Sequence, residues 1–293
     1  MTECTEVQLW NKVDTLSHEI GKTPFKIIPD NLNRIYVKLE GENPSGSIKD
    51  RLALHLIKKA LEQGQLKPGQ PLVEVSTGNS GIALSRIANE IGCKAEIILP
   101  ETTGEEVLTK IRQYNGHIVL ASIDKGIEHF FELARTKAQQ GYYWPNQYNN
   151  PESIFAYTPL GMELVNDAHS LDYLIAAIGT GGTAMGVGKY LREHNPSIKI
   201  IAVEPEETEN ISGLRNTNVI HRGSKDLYHK DFPNQTIRVS IPQAQEGLEI
   251  LDKEGIKSSL SPGAALYAAL KISKQCAGMH FAIIAADGKR GNK

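Results

Sequence analysis

Four short segments of the 293-residue chain bring together residue types that bind anions or move protons. GTGGT (Gly179–Thr183) follows an apolar run and opens a helical pattern. Backbone N–H groups, the helix dipole and the hydroxyls of Thr180 and Thr183 would there converge on an anion such as a phosphate. The same letters also make an ordinary strand-to-helix turn. Gly179, Gly181 and Ala184 further fit G-x-G-x-x-A, with Glu204 ending the next strand as a ribose acceptor, so a nicotinamide dinucleotide is a rival ligand. That rival leaves the other three segments without a task. In NPSGSIKDR (Asn43–Arg51), Lys49 falls in the first turn of a helix, where the dipole opposes a cation and favours the free amine that a Schiff base needs. The plain alternative is a solvated surface lysine. STGNSG (Ser76–Gly81) repeats strand, turn and helix with hydroxyls, an amide and two glycines. Such a loop wraps a carboxylate, or simply caps a helix. SLSPG (Ser259–Gly263) is the fourth segment.

The elements that must hold these segments follow from periodicity. Strands are predicted at 35–41, 71–75, 95–100 and 117–121, alternating with amphipathic helices at 52–61, 81–91, 105–114 and 126–140. After GYYWPNQYNNP (141–151) interrupts the rhythm, a single helix over 152–168 leads into strands at 172–179, 198–205, 236–240 and 281–286. A helix at 183–194 and a late pair of helices separate them, and 206–235 is irregular. The alternation predicts an α/β fold of two doubly wound domains, each a parallel sheet covered on both faces. All four segments then lie at the carboxyl ends of strands or the amino ends of helices, where such folds put ligands. Residues 35–145 are expected to form the N-terminal domain, and 1–34 with 146–293 the larger one.

Composition narrows the partners. With 32 Lys+Arg against 34 Asp+Glu, the net charge of -2 argues against a basic nucleic-acid binder and against an acidic disordered tail. No run approaches the ~20 apolar residues of a membrane span. The opening MTECTEVQLWNKVD is too polar and acidic for a targeting peptide, so a cytoplasmic protein is expected. Cys4, Cys93 and Cys276 lie far apart with no C-x-x-C pair, which suggests neither a disulfide framework nor a metal site.

Taken in order, these segments resemble the cysteine synthase family of fold-type II pyridoxal-phosphate enzymes. The likeness runs from IGKTPF through KLEGENPSGSIKDR, STGNSGIAL, IILPE, NQYNNP, GTGGTAMGVGKYL, IIAVEP and EGIKSSLSPGAA to AADGKR, most of the chain. It implies a tryptophan synthase β-like architecture with the active site between the two domains, and pyridoxal 5'-phosphate as cofactor. Position by position, Lys49 would carry the cofactor and move the substrate's α-proton, and Asn79 would bond its 3-hydroxyl. Gly179, Thr180, Gly181, Gly182 and Thr183 would hold its phosphate, and Ser261 would face the pyridine nitrogen. Ser76, Thr77, Ser80 and Gln147 match the shell for the substrate carboxylate. A phosphate dianion needs no Lys or Arg where enough N–H and O–H donors converge. A serine does not enforce a protonated pyridine as an aspartate would, which suits loss of a β-leaving group.

The implied reaction is β-replacement on an activated L-serine, O-acetylserine or O-phosphoserine, through an aminoacrylate, giving L-cysteine with sulfide or another sulfur donor. ISGLRN (Ile211–Asn216) is most similar to the B-type and phosphoserine-using members, and Arg215 would meet a leaving phosphate through its fork. His221, Arg222 and Lys225 add positive charge nearby, or form a solvated face. The resemblance also implies a homodimer, a mobile segment around 102–114, and serine acetyltransferase or a sulfur-carrier protein as partner. Departures from the family leave the substrate and nucleophile open: PETTGEEV lacks the usual serine and arginine, and ESIFAYTPLGMEL lacks a typical histidine. The alternatives are a diaminopropionate- or cystathionine-type synthase, a cysteine desulfhydrase, or an inactive scaffold.

Overall fold

Thr5 starts the first helix with a capping box: its hydroxyl accepts from Gln8 N and its own N–H is taken by the Gln8 side chain. In α1 (Glu6–Glu19), Leu9, Val13 and Leu16 recur at helical spacing and are buried. Along the chain follow β1 (Phe25–Asp30), β2 (Asn33–Leu39), α2 (Lys49–Glu62), β3 (Leu72–Val75), α3 (Asn79–Ile91), β4 (Ala95–Pro100), α4 (Glu105–Gln113), β5 (His117–Ala121) and α5 (Gly126–Gln139). Then come α6 (Glu152–Phe155), α7 (Thr158–Asp167), β6 (Tyr173–Ala177), α8 (Gly182–His194), β7 (Lys199–Pro205), β8 (Gln235–Val239), α9 (Ile241–Lys253), α10 (Leu260–Ser273) and β9 (His280–Ala285). This is a computed structural model, and it describes residues 5–168, 170–218 and 227–288. Among them no helix is long and apolar enough to cross a membrane, and no His/Cys/Asp/Glu group could hold a metal.

Two units divide the chain. The first comprises residues 5–20 and 49–153 and holds the parallel sheet β3-β4-β5. The sheet's alternation separates two cores: Leu72, Ile97 and Leu99 pack with α1, α2, α3 and α4, while Val73, Val75 and Ile98 pack with Phe130, Phe131 and Ala134 of α5. Both faces are covered, as the near-continuous apolar strands require.

The second unit, built on residues 21–48 and the described residues after 153, holds a six-stranded sheet in the order β1-β2-β9-β6-β7-β8. Five of its strands are parallel, but β1 joins β2 as an antiparallel hairpin, turning at Asn31, whose φ is 51°. An all-parallel sheet was expected. FKIIPD escapes a periodicity reading because it is an edge strand, mostly exposed and carrying a proline.

The expected domain limits also shift. Strand β2 lies in the second unit because it pairs in register with the last strand, β9. Helix α1 lies in the first because Leu9, Val13, Leu16 and Ile20 share the core of α2 and α3. The crossing falls at 153–154 rather than 145–146, since Tyr143 extends the first sheet: its N–H reaches Pro71 O at 2.8 Å and its carbonyl accepts from Val73 N at 2.9 Å. The single helix expected at 152–168 is two, α6 and α7, with Pro159 in the first turn of the second.

One buried ion cluster ties β2 to α7. Lys38, 1% exposed, reaches Asp167 Oδ2 at 2.7 Å, Glu163 Oε2 at 3.0 Å and the Thr23 carbonyl at 2.5 Å. Replacing it by methionine keeps the stem's volume but removes the ammonium between two carboxylates. The expected cost is about 3 kcal/mol in urea unfolding, and a loss under ~1 kcal/mol would refute the assignment.

Candidate active site

In the first unit, Lys49 is the first residue of α2, and its half-buried side chain lines a cleft with Leu52, Leu56, Glu74, Ser80 and Gln147. The segment before it is pinned inside the second unit. Asn43 donates to Glu40, Ser47 bridges Asp287, Ile48 N donates to Ala286 O at 2.8 Å and Gly288 N to Gly46 O at 3.2 Å. A lysine delivered from so constrained a turn has a fixed starting point for its side chain.

The 76–81 loop is braced from within. Ser76, fully buried, accepts from Gly78 N at 3.0 Å and Gly81 N at 2.9 Å, and its own N–H donates to Ile98 O at 3.0 Å. Expected among the carboxylate binders, Ser76 is instead the loop's internal support, because its hydroxyl and amide are both engaged there. Gly81 is held to glycine by space: a Cβ would stand 2.6 Å from the Ile97 side chain. Thr77 is exposed, and Asn79 and Ser80 are half-buried at the start of α3. Ser80 Oγ donates to Gln147 Oε1 at 2.7 Å, and Gln147 Nε2 donates to Val75 O at 2.9 Å. Residues 67 positions apart in sequence are thus joined by one hydrogen bond.

Glu74 was not singled out from sequence. It is buried in β3 and accepts from Val75 N, Trp144 Nε1 and Gln147 N. Burial pushes it up to about 7, against the pull of these donors. The signal was available: a glutamate inside the apolar run LVEV is the anomaly that a buried strand rarely tolerates.

In the second unit GTGGT, ISGLRN and SLSPG meet. Gly181 caps α8 in a left-handed conformation, φ 84°, and as a glycine offers no side chain to the N–H groups of the helix's first turn. A Cβ on Gly179 would lie 2.8 Å from Gly213 O, and one on Gly181 would lie 2.4 Å from Tyr228 Cβ. A Cβ on Gly213 would lie 3.1 Å from Ser261 Oγ, in the first turn of α10. Gly182 N donates to Thr180 Oγ1 at 3.4 Å, and Thr183 is half-buried beside it. Glycine at 179, 181 and 182 keeps side chains off much of this turn, and its backbone N–H groups with the Thr180 and Thr183 hydroxyls offer donors that suit a phosphate dianion.

Arg215 leaves this cradle's edge, its N–H donating to Ile178 O at 2.7 Å one residue before Gly179. Tyr228, a wall of the cradle, was missed because its stretch has no periodic pattern. Glu204 is buried and accepts from Thr217 Oγ1 at 2.8 Å and Thr217 N at 3.3 Å. The dinucleotide reading thereby loses its ribose acceptor. Cys93 is buried and Cys276 half-buried, and neither forms a disulfide. Cys4, His221, Arg222 and Lys225 lie outside the described residues.

Comparison with known proteins agrees with this chemistry. A family model described as "Pyridoxal-phosphate dependent enzyme" matches residues 16–285. The chain is 32% identical over 289 residues to cysteine synthase B of Salmonella typhimurium, covering 96% of this chain and 94% of that one. It is 34% identical over 277 residues to a cysteine synthase of Staphylococcus aureus, covering 90% and 89%. Among solved structures, a hydrogen sulfide-producing enzyme from Fusobacterium nucleatum superposes with a TM-score of 0.86 at 30% identity, over 93% of this chain and 97% of that one.

Proposed function

Because the chain belongs to the family of pyridoxal-phosphate dependent enzymes, we propose that it makes L-cysteine by β-replacement on an activated L-serine, with sulfide or another sulfur donor as nucleophile. The observation that carries this reading is the cleft in which Lys49 lies beside Ser80 and Gln147. An amine beside those polar side chains supports the reading of Ser80 and Gln147 as donors for an amino acid's carboxylate. Two cysteine synthase relatives that align along nearly the whole chain support the proposed activity.

The residues present fit the cofactor. The Gly179–Thr183 cradle offers N–H and hydroxyl donors to its phosphate, Ser261 a neutral hydroxyl to its ring nitrogen, and Asn79 an amide to its 3-hydroxyl. Bound, the cofactor supplies an electron sink for bond breaking at the substrate's α- and β-carbons. Lys49 anchors it and then carries the proton taken from the α-carbon. Thr77, Ser80 and Gln147 hold the substrate carboxylate, and Ser76 keeps their loop in shape. Closure of the 102–114 segment would exclude water during the reaction. A homodimer, a cytoplasmic location and a partner supplying either activated serine or sulfur belong to the same reading.

Arg215 sets the leaving group. Its place at the edge of the phosphate cradle suits the second, leaving phosphate of O-phosphoserine through a bidentate fork. Arg215→Ala is expected to lower kcat/KM for O-phosphoserine by about tenfold or more, while changing that for O-acetylserine less than about threefold. An unchanged ratio of the two would remove Arg215 from substrate choice. The overall reading is tested by mixing the purified protein with each activated serine and sulfide and measuring cysteine. No cysteine from either substrate would reject it. Sulfide released from cysteine faster than cysteine is formed would instead favour a desulfhydrase, a reading that the altered PETTGEEV segment also permits.

A further inference from the structure

Glu74 takes no role in the scheme above, yet several site residues hang from it. It is 3% exposed, in a four-residue strand whose other side chains are apolar. A carboxylate so buried must be matched by donors. Oε1 accepts from Val75 N at 2.9 Å and Trp144 Nε1 at 3.1 Å, and Oε2 accepts from Gln147 N at 3.1 Å. Trp144 and Gln147 belong to the extended stretch beside β3, so the carboxylate ties that stretch to the strand. The tie is reinforced by backbone geometry: Asn146, φ 55°, turns the chain so that Asn149 N and Asn150 N fold back on its carbonyl. Gln147 then reaches Val75 O with its amide nitrogen and receives Ser80 with its amide oxygen, and Ser153 Oγ donates to its carbonyl at 2.9 Å.

We propose that Glu74 is a positioning residue of the substrate-binding shell, whose ionised carboxylate fixes Gln147 and, through it, Ser80 and the 76–81 loop. The inference rests on the reading of Thr77, Ser80 and Gln147 as the shell that holds the substrate carboxylate.

Ionisation is what the tie depends on. Every neighbour that meets the carboxylate is an N–H donor, and protonation turns one acceptor oxygen into a donor, opening one side of the tie. Burial pushes Glu74 up to about 7, so the change falls between about pH 6 and 8. The groups facing it come from each packed element. From the 141–150 stretch come Tyr143 and Tyr148, both pushed up to about 12 by burial and by the charge of Glu74 itself, hence neutral throughout this range. Lys49 of α2 and Ser80 of α3 line the same cleft. The residue opposite on β4 is Ile97, and α5 presents Phe131 against Trp144 and Tyr148.

Trp144 and Trp10 are the chain's two tryptophans, so Trp10→Phe leaves Trp144 as the reporter. In that holoenzyme, Trp144 emission should pass through one transition near pH 7, and KM for O-acetylserine should rise about five- to tenfold below it with a smaller change in kcat. Glu74→Gln should abolish the transition and hold KM at its low-pH value. Glu74→Asp, which keeps a titrating group, should retain a displaced transition. Flat emission in the parent protein, or a Glu74→Gln enzyme with the parent KM and pH profile, overturns the proposal. The titration needs no substitution at Glu74 itself. Thr77→Ala separates the two layers: if it raises KM and Glu74→Gln does not, only the role of Glu74 fails. If neither raises KM, the shell reading fails with it.

Discussion

Replacing Lys49 by alanine is expected to lower kcat/KM by about 10³-fold or more and to remove the visible absorption of a lysine-bound cofactor. Alanine is the best helix former, and position 49 begins α2 without filling its buried face, which Leu52, Ala53, Leu56 and Ile57 supply. The fold should therefore survive, and the loss should be chemical. Lys49→Arg sharpens the result. It keeps a cation and most of the stem, but a guanidinium neither forms the covalent link nor gives up a proton near neutral pH. Equal inactivity of the two variants, with unchanged far-ultraviolet circular dichroism and urea midpoint, assigns the loss to the amine. An alanine variant that keeps a tenth of the parent turnover, or a yellow colour that survives exhaustive dialysis, would move the chemistry to another residue.

What could be read in the sequence was what is local. Lys49, the 76–81 loop and the Gly179–Thr183 turn each sit at a strand–turn–helix junction, and such a junction announces itself within ten residues by its glycines and hydroxyls. Their alternating strands and helices were legible for the same reason. What escaped depends on partners far along the chain. Strand β1 is recognisable only once β2 is known to border β9, because an exposed edge strand has no buried face to imprint a period. Ser76 and Thr77 are adjacent hydroxyls with opposite fates, one fully buried and one exposed, and the bond that holds Ser76 in place runs from its N–H to Ile98 O, on the neighbouring strand. Glu74 is the clearest case. Its donors Trp144 and Gln147 lie some seventy residues away, so the sequence shows the charge but not what balances it.

The same long-range dependence shapes the pH behaviour of stability. An acid held near 7 when folded and near 4.5 when unfolded binds its proton more tightly in the folded state. Its contribution is therefore fully present below about pH 4.5 and is lost as pH rises through about 7. A shift of that size corresponds to about 3 kcal/mol. The ionised form that the substrate shell needs is thus the form that costs the fold, a trade expected where a buried charge serves a site rather than the core.

Gly181→Ala should act on cofactor retention before anything else. Two penalties add at this residue. Its φ of 84° is one that L-residues adopt at a cost of roughly 1–2 kcal/mol. The new Cβ would also stand 2.4 Å from Tyr228 Cβ and 3.0 Å from its Cγ, a separation that cannot persist, so either the turn or the tyrosine must move. Both movements displace the N–H groups that open α8, the donors proposed above to hold the cofactor's phosphate. Cofactor affinity is expected to fall about 100-fold or more, measured by titrating the apoprotein and following visible absorbance. Gly64→Ala is the control, with a similar φ of 65° but open space around its Cβ and a position outside the cradle. It should reduce stability by about 1 kcal/mol and leave cofactor affinity unchanged. Adding Tyr228→Gly to Gly181→Ala removes the atom in the way while keeping the backbone strain. If that double variant binds the cofactor no better than Gly181→Ala alone, strain dominates the cradle's shape. If Gly181→Ala itself binds like the parent, the phosphate is held elsewhere.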